Sequence, residues 1–290
     1  MMGGARAQAA VHPEIARLDA LVDHIDIAAG PAGSTVRWHR LGQGDPLVLL
    51  HGGHGSWLHW LRNIEALARH RTVWVPDMPG FLDSSTPPPQ SRPDDLTPLL
   101  DMLQASLDQA VGPDTAIDLA GFSFGGLVAS QLAVRRPHVR RLALLGSGGH
   151  GTTRLRPLDM QQWRDAASAA QRRDMLRHNL NQLMLYRHDP DELALDVHEI
   201  SCLATRFRSR PASLGVGMLQ ALRRYAGPVL LIWGEQDVTA LVHELVPDIA
   251  ARGPGREWRI VPEAGHWVQY ERAAMINDLL AHWFDGQPLP

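Results

Sequence analysis

The chain has 290 residues, of which 44% are hydrophobic and 20% are charged, and its formal net charge at pH 7 is −3. This is the composition of an ordinary globular protein, and the small negative charge predicts no attraction to nucleic acid or to an anionic membrane surface. All 28 basic residues are arginine, which excludes chemistries that need a lysine amine, such as Schiff-base catalysis, Ser-Lys dyads and P-loop nucleotide hydrolysis.

In the first half of the chain, short apolar runs alternate with segments of helical period. Strands are predicted at residues 35–41, 47–50, 72–75, 116–120 and 141–145, and helices at 58–67, 96–110 and 127–136. Because several of these strands are short and wholly apolar, the alternation predicts an α/β fold whose parallel sheet is covered by helices on both faces.

This alternation stops after Gly151. Residues 152–224 are polar, rich in arginine and helical in period, without a convincing strand, and strands resume at 229–233 and 257–261. The sequence therefore predicts a core made of residues 1–151 and 225–290, interrupted by a helical insertion at 152–224. We expect the insertion to form a lid, because binding sites of such sheets lie at loops beyond the carboxyl ends of the strands.

The strongest local motif is the sequence G-F-S-F-G-G at residues 121–126, which lies between a predicted strand and a predicted helix. This is the pattern G-x-S-x-G of a nucleophile elbow in the strand–turn–helix context that it requires. The glycines are needed because larger residues two positions from Ser123 would collide with the neighbouring strand and helix. Ser123 is therefore the candidate nucleophile, although a serine that merely caps the helix would give a similar pattern.

A serine nucleophile needs a base, and that base is oriented by an acid. Downstream of Ser123, Asp237 follows the strand at 229–233 and His266 follows the strand at 257–261. Both residues thus follow the carboxyl ends of strands, as Ser123 does, and they occur in the order Ser, Asp, His. Glu235 is the rival for the acid, and Asp237 is preferred because it lies deeper in the loop.

An oxyanion hole requires two N–H groups that point at the developing charge. The residue after the nucleophile, Phe124, supplies one, and the glycine-rich loop at residues 51–56 is expected to supply the other from Gly53. His51 and His54 of that loop also resemble a metal pair, but no carboxylate or cysteine lies near them in a suitable arrangement.

From about residue 34 to residue 284, these motifs resemble the α/β-hydrolase superfamily. The segment VPDMPGFLDSS at residues 75–85 is similar to the D-x-P-G-x-G-x-S segment of that family, with Leu82 in place of its second glycine. The resemblance implies an eight-stranded, mostly parallel sheet with the insertion as a lid, and it implies no cofactor. A serine rather than an aspartate at the elbow favours attack on the carbonyl of an ester, thioester, lactone or amide.

Two functions within this resemblance stay open, and a third belongs to another class. The form GFSFGG is closer to esterases and cofactor-free perhydrolases, so a small carboxylic ester ranks first. The alternative is a C–C bond hydrolase of meta-ring-fission products, because a tryptophan directly after the histidine, here Trp267, resembles the pattern of those enzymes. Those enzymes usually carry Asn where this chain has Phe122, and they place a lid arginine on a carboxylate, a role for which Arg206 or Arg208 is the candidate. A non-catalytic binding protein of the same fold is the third reading.

The sequence also limits partners and location. A small-molecule substrate with an apolar acyl or aromatic group is expected, because aromatic residues accompany the predicted site: Trp57, Phe122, Phe124, Trp163 and Trp267. Packing of the lid onto the core explains the tryptophans equally well. Cys202 is the only cysteine, so a reducing cytosol is the expected compartment. No membrane partner is expected, since no apolar run approaches the roughly 20 residues of a membrane span. The oligomeric state stays open, with a homodimer as one option.

Overall fold

The computed structural model describes residues 11–152, 155–186 and 190–290. Within these residues, eight strands form one sheet in the order β1-β2-β4-β3-β5-β6-β7-β8. The strands are β1 (Asp23–Ala28), β2 (Thr35–Leu41), β3 (Pro46–Leu50), β4 (Thr72–Pro76), β5 (Ile117–Phe122), β6 (Val139–Leu145), β7 (Val229–Gly234) and β8 (Arg256–Val261). β2 runs antiparallel to both β1 and β4, and every other pair is parallel. The predicted α/β fold with a mostly parallel eight-stranded sheet is confirmed.

Helices cover both faces of this sheet. In the described residues of the core they are α1 (Pro13–Asp19), α2 (Ile64–Leu67), α3 (Thr97–Val111), α4 (Phe124–Arg135), α9 (Val242–Ala251), α10 (Val268–Glu271) and α11 (Ala273–Phe284). Side chains alternate along β3, so Val48 and Leu50 pack in the layer with α3, α4 and α9. Leu47 and Leu49 pack in the opposite layer with α1, α2 and α11. None of the helices that the structure describes is long and apolar enough to cross a membrane.

The predicted helix at residues 58–67 is wrong in form. The chain makes a 3₁₀ turn at Trp57–Trp60 and then the single-turn helix α2. All four residues of the 3₁₀ turn are buried, so this segment has no exposed face and a 3.6-residue period does not describe it. Long-range bonds fix the break, because the Trp57 N–H donates to Asp77 and the Asn63 amide donates to the carbonyl of Gln269.

The insertion between β6 and β7 contains a 3₁₀ turn at Trp163–Asp165 and the helices α5 (Ala169–Leu183), α6 (Glu192–Ala204), α7 (Arg210–Ser213) and α8 (Gly217–Leu222). Arg173 joins α5 to α6 through charge-assisted bonds of 2.6 Å to Glu192, Asp196 and Glu199. Met218 of α8 packs in the same apolar layer as α4. The insertion is thus fastened to the core at its carboxyl end, and its extent of 152–224 stays a prediction.

A buried ion cluster lies at the end of β5 that is opposite Ser123. Asp118 accepts hydrogen bonds from Arg71 and Arg140, and its side chain is 1% exposed. Arg71 also reaches Asp285 after α11 at 2.7 Å. Burial raises the pKa of Asp118, and the two guanidinium groups oppose that rise. The cluster therefore holds the amino end of β5 to β6 and to the last helix.

Replacing Asp118 by alanine is expected to destabilise the fold by about 3–5 kcal/mol, because it leaves the buried Arg71 guanidinium without its main partner. Asp45→Ala is the matched control, since Asp45 also pairs with Arg140 but its side chain is 64% exposed. We expect that control to cost less than about 1 kcal/mol. Urea unfolding of both variants measures the difference, and equal midpoints would contradict the argument.

Candidate active site

Ser123 lies on a sharp turn between β5 and α4. Its backbone has φ 55° and ψ −117°, a conformation that non-glycine residues rarely adopt and that stores strain. The turn is possible only between glycines, because a Cβ on Gly121 would lie 2.2 Å from the Gly125 oxygen and one on Gly125 would lie 2.4 Å from the oxygens of Leu50 and His51. The close approach expected from the sequence is confirmed.

Ser123, His266 and Asp237 form a continuous hydrogen-bonded line. The His266 Nε2 lies 2.8 Å from the Ser123 Oγ, and its Nδ1 lies 2.8 Å from Asp237 Oδ2. An ionised carboxylate only accepts hydrogen bonds, so the Nδ1 carries the proton and a neutral ring accepts the serine O–H at Nε2. This is the arrangement that a base needs in order to remove the serine proton.

The loops after β7 and β8 are tied to each other, which brings the acid and the histidine together. The N–H of Gln236 donates to the carbonyl of Ala264 at 2.9 Å. Gly234 approaches this loop so closely that a Cβ there would lie 2.0 Å from the Gly265 oxygen. Glu235, the rival acid in the sequence, instead extends towards His243 and is 38% exposed.

Asp237 is fully buried and keeps its charge. Burial acts to raise its pKa, but His266 and the N–H and hydroxyl of Thr239 outweigh that effect and leave the pKa below its usual value. Both Thr239 donors bind Oδ1, at 2.8 Å and 2.7 Å, which leaves Oδ2 for His266. The sequence analysis missed Thr239, although its position two residues after the acid is typical of an Asx turn.

The loop after β3 places Gly53 beside the elbow. A Cβ on Gly53 would lie 3.7 Å from the Cβ of Phe124, and one on Gly52 would lie 3.2 Å from the Cβ of Ser123. In the part of the chain that the structure describes, neither the Gly53 N–H nor the Phe124 N–H, which begins α4, donates to a protein acceptor. Two N–H groups beside the serine are thus available to an oxyanion.

Two buried histidines fix the peptide before Gly53. The Gly52 N–H donates to the Nδ1 of His59, and the Gly52 carbonyl accepts from the Nδ1 of His51, whose Nε2 accepts from the Met78 N–H. Burial lowers the pKa of His51 to about 4 and also lowers that of His59. Both rings are therefore neutral near pH 7, and both nitrogens of His51 already have partners within the protein.

Phe122 and Trp267 lie directly behind the site. The Phe122 ring is fully buried with its centroid 5.0 Å from that of His266. Trp267 is also fully buried, stacks on Tyr270 at 4.2 Å and donates from its indole to the carbonyl of His59. Both residues pack against the loops that carry the histidine and the oxyanion loop, and their place in a substrate pocket stays a prediction.

The contacts that the structure shows for Trp57 and Trp163 are packing contacts. The Trp57 ring stacks on His39 of β2 at 4.2 Å. Trp163 packs inside the insertion against the small apolar cluster that includes Leu176 and Cys202. Packing of the lid and the core, which the sequence allowed as an equal reading, accounts for both tryptophans.

The expectation that Arg206 binds a substrate carboxylate is also corrected. Its guanidinium donates to the carbonyls of Leu82, Ser84 and Ala204 and to the hydroxyl of Thr86, rather than facing Ser123. Leu82 has φ 34°, so it keeps a left-handed conformation at the position where the family resemblance expects glycine. Arg206 thus fastens the insertion to a strained turn of the core.

Glu271 and Gly146 are further residues of the site that the sequence analysis did not identify. The Glu271 carboxylate accepts from the N–H of Gly265 at 2.7 Å and from the N–H of Tyr186 at 2.9 Å. It therefore links the residue before His266 to the insertion. Gly146, with φ 49°, lies against the histidine–aspartate bond, because a Cβ there would be 3.1 Å from His266 Nδ1.

Comparison with known proteins identifies the family of the chain. A family model described as alpha/beta hydrolase fold matches residues 45–273. The chain is 32% identical over 271 residues to the dihydrolipoyllysine-residue acetyltransferase component of an acetoin cleaving system from Pseudomonas putida, covering 87% of this chain and 69% of the relative. It is 30% identical over 272 residues to 2-hydroxymuconate semialdehyde hydrolase from Pseudomonas sp. (strain CF600), covering 86% of this chain and 92% of the relative.

Among solved structures, the carboxylesterase CesB from Bacillus subtilis superposes with a TM-score of 0.74. The two chains share 18% identity, and the superposition covers 95% of each. At that identity the likeness concerns the fold.

Thr239→Val is expected to lower kcat roughly tenfold for any substrate that depends on Ser123. The change removes a hydroxyl that donates to the Asp237 carboxylate, and a hydrogen bond to a charged group contributes about 1.5–3 kcal/mol. Thr239→Ser is the matched control, because it keeps the donor and should retain most of the rate. Steady-state kinetics on the three proteins measures the effect, and equal kcat values for valine and threonine would contradict it.

Proposed function

This chain belongs to the α/β-hydrolase family, and from that premise we propose a serine hydrolase that cleaves a small carboxylic ester or a related acyl compound. The observation that carries the proposal is the unbroken line from Ser123 Oγ through His266 to Asp237, with both contacts at 2.8 Å. A binding protein of this fold has no need for a buried carboxylate, a histidine in one tautomer and a strained serine that are joined by hydrogen bonds.

In the proposed reaction, His266 Nε2 takes the Ser123 proton while Oγ attacks the carbonyl carbon. The carbonyl oxygen becomes an oxyanion that accepts hydrogen bonds from the N–H groups of Gly53 and Phe124. His266 then protonates the leaving alcohol, whose departure leaves an acyl group on Ser123. Water then attacks this ester with His266 as base. His266 returns the proton to Ser123 Oγ as the carboxylic acid product leaves, which regenerates the free serine.

Asp237 stabilises the histidine when it carries a positive charge. The carboxylate is buried and already ionised, so its interaction with the imidazolium acts in a medium of low polarity. The first turn of α4 adds the positive end of a helix beside the oxyanion. Each group is in place before the substrate arrives, which is the preorganisation that accelerates acyl transfer.

The C–C hydrolase alternative draws support from the name of one relative, and two features of this chain weigh against it. The lid arginine that such enzymes direct at a carboxylate is not Arg206, whose guanidinium binds backbone carbonyls. Arg208 is exposed. Phe122, rather than Asn, precedes the nucleophile. We therefore rank ester cleavage first.

The other relative is named for acetyl transfer through dihydrolipoyllysine. This chain contains no lysine, so it has no residue that can carry a lipoyl group.

A fluorophosphonate probe is expected to label Ser123 in the wild-type protein, because its phosphorus accepts attack by an activated serine. Ser123→Ala should lose the label and lower hydrolysis of a 4-nitrophenyl ester by roughly 10⁶ in kcat. Ser91→Ala is the control, since Ser91 is an exposed serine that bonds Asp95. Mass spectrometry of the labelled peptide identifies the site, and a wild-type protein that stays unlabelled would refute the proposal.

Short acyl esters are expected to react faster than a dienol ring-fission product. The reason is that Arg206, the lid arginine expected to bind the carboxylate of a ring-fission product, donates to backbone carbonyls instead. Comparing kcat/KM for 4-nitrophenyl acetate and for 2-hydroxymuconate semialdehyde tests this ranking. Faster C–C cleavage by orders of magnitude would reverse it.

A further inference from the structure

A serine of the insertion, Ser209, lies directly against the oxyanion loop. If Gly53 carried a Cβ, that atom would lie 2.4 Å from Ser209 Oγ and 3.7 Å from the Cβ of Phe124. The hydroxyl therefore occupies the space that only glycine leaves free at position 53. It lies on the side of Gly53 that faces Phe124, the other residue with an available N–H.

The Ser209 hydroxyl has no partner in the described part of the chain, although the residue is only 4% exposed. Ser209 is the N-cap residue of α7, a position where serine usually accepts a backbone N–H, yet it makes no such cap here. Its carbonyl accepts from the N–H and the hydroxyl of Ser213. The Oγ is therefore a donor without a protein acceptor beside the oxyanion loop, and an acceptor that arrives with the substrate would satisfy it.

The backbone before Ser209 is held firmly, so the position of the hydroxyl is fixed. The N–H groups of Arg206 and Phe207 donate to the Gly80 carbonyl at 2.9 Å and 3.2 Å. The Phe207 ring packs between those of Phe81 and Phe124, with centroids 5.9 Å and 5.8 Å away. Ser209 is thus held by the same residues that border the oxyanion loop.

We propose that the Ser209 hydroxyl donates a third hydrogen bond to the oxyanion, beside the N–H groups of Gly53 and Phe124. The inference rests on the proposed function, because it needs an oxyanion at Ser123. An oxyanion has three lone pairs, whereas the loop and the elbow supply two donors. The hydroxyl keeps its proton throughout, so the step changes no covalent bond and adds only charge stabilisation.

Ser209→Ala is the direct test with 4-nitrophenyl acetate as substrate. We expect kcat to fall roughly 10- to 100-fold with little change in KM, since the bond strengthens only as charge develops. The melting temperature should be unchanged, because the Ser209 hydroxyl makes no cap hydrogen bond to α7 that the variant would lose. A merely structural serine would instead lower both the melting temperature and the activity. Ser209→Gly, which also lacks the hydroxyl, repeats the measurement on a second background.

Thr205→Val is the matched control in the same segment. The Thr205 hydroxyl bonds the carbonyl of Ser201 within its own helix, so its loss should leave kcat unchanged. The rate of fluorophosphonate labelling at Ser123 gives a second readout, because the phosphoryl oxygen occupies the place of the oxyanion. Labelling of Ser209→Ala should slow in parallel with kcat.

Three results would overturn the inference. The first is wild-type kcat and labelling rate in both Ser209 variants. The second is a loss of activity that follows a lowered melting temperature. The third is a loss confined to esters with an oxygen on the carbon next to the carbonyl, which would mean that the hydroxyl binds the acyl group instead. In each case a wild-type protein that labels at Ser123 leaves the proposed function intact, whereas failure of that labelling refutes the proposed function itself.

Discussion

The close approach of the elbow to the loop after β3 is the constraint on which the rest of the site depends. Gly125 lies against the oxygens of Leu50 and His51, with no room for a side chain. This contact places the start of α4 beside Gly53, so the backbones of Phe124 and Gly53 lie close together. Because β3 and β5 are paired in parallel, their carboxyl ends are already adjacent, and the glycines let the loops meet there. A bulkier residue at 125 would push the elbow away from the loop after β3.

The sequence predicts the sheet and the three central residues because each depends on local signals that coincide. The apolar strands specify their own burial, and the strand, turn and helix of the elbow follow one another without interruption between residues 117 and 135. Asp237 and His266 follow strand ends, and the fold brings all such ends to one edge. The same reasoning predicts the close approach of Gly53 to the elbow, since a glycine-rich loop after a buried strand permits it.

What the sequence could not predict depends on contacts between distant segments. An arginine in an insertion can face a substrate or bind a backbone, and only the position of Leu82 relative to Arg206 decides between them. Trp57 has the same ambiguity, resolved by His39 on a neighbouring strand. Strand β1 was missed because it is an edge strand with four of its six residues exposed, so it lacks the apolar run of the central strands. For Arg206 and Trp57, the role of the side chain is decided by the distant residue that it contacts.

The insertion contacts both the loop that carries His266 and the loop that carries Gly53. At one side the backbone N–H of Trp267 donates to the carbonyl of Met184. The Glu271 carboxylate accepts from the backbone N–H groups of Tyr186 and of Gly265, the residue before His266. At the other side Arg206 and Ser209 lie on the turn after β4 and on Gly53. Movement at the first contact would disturb the base, and movement at the second would disturb the oxyanion loop. Since both contacts involve backbone groups that need partners when buried, the closed arrangement is the one in which the base and the oxyanion donors are in place together.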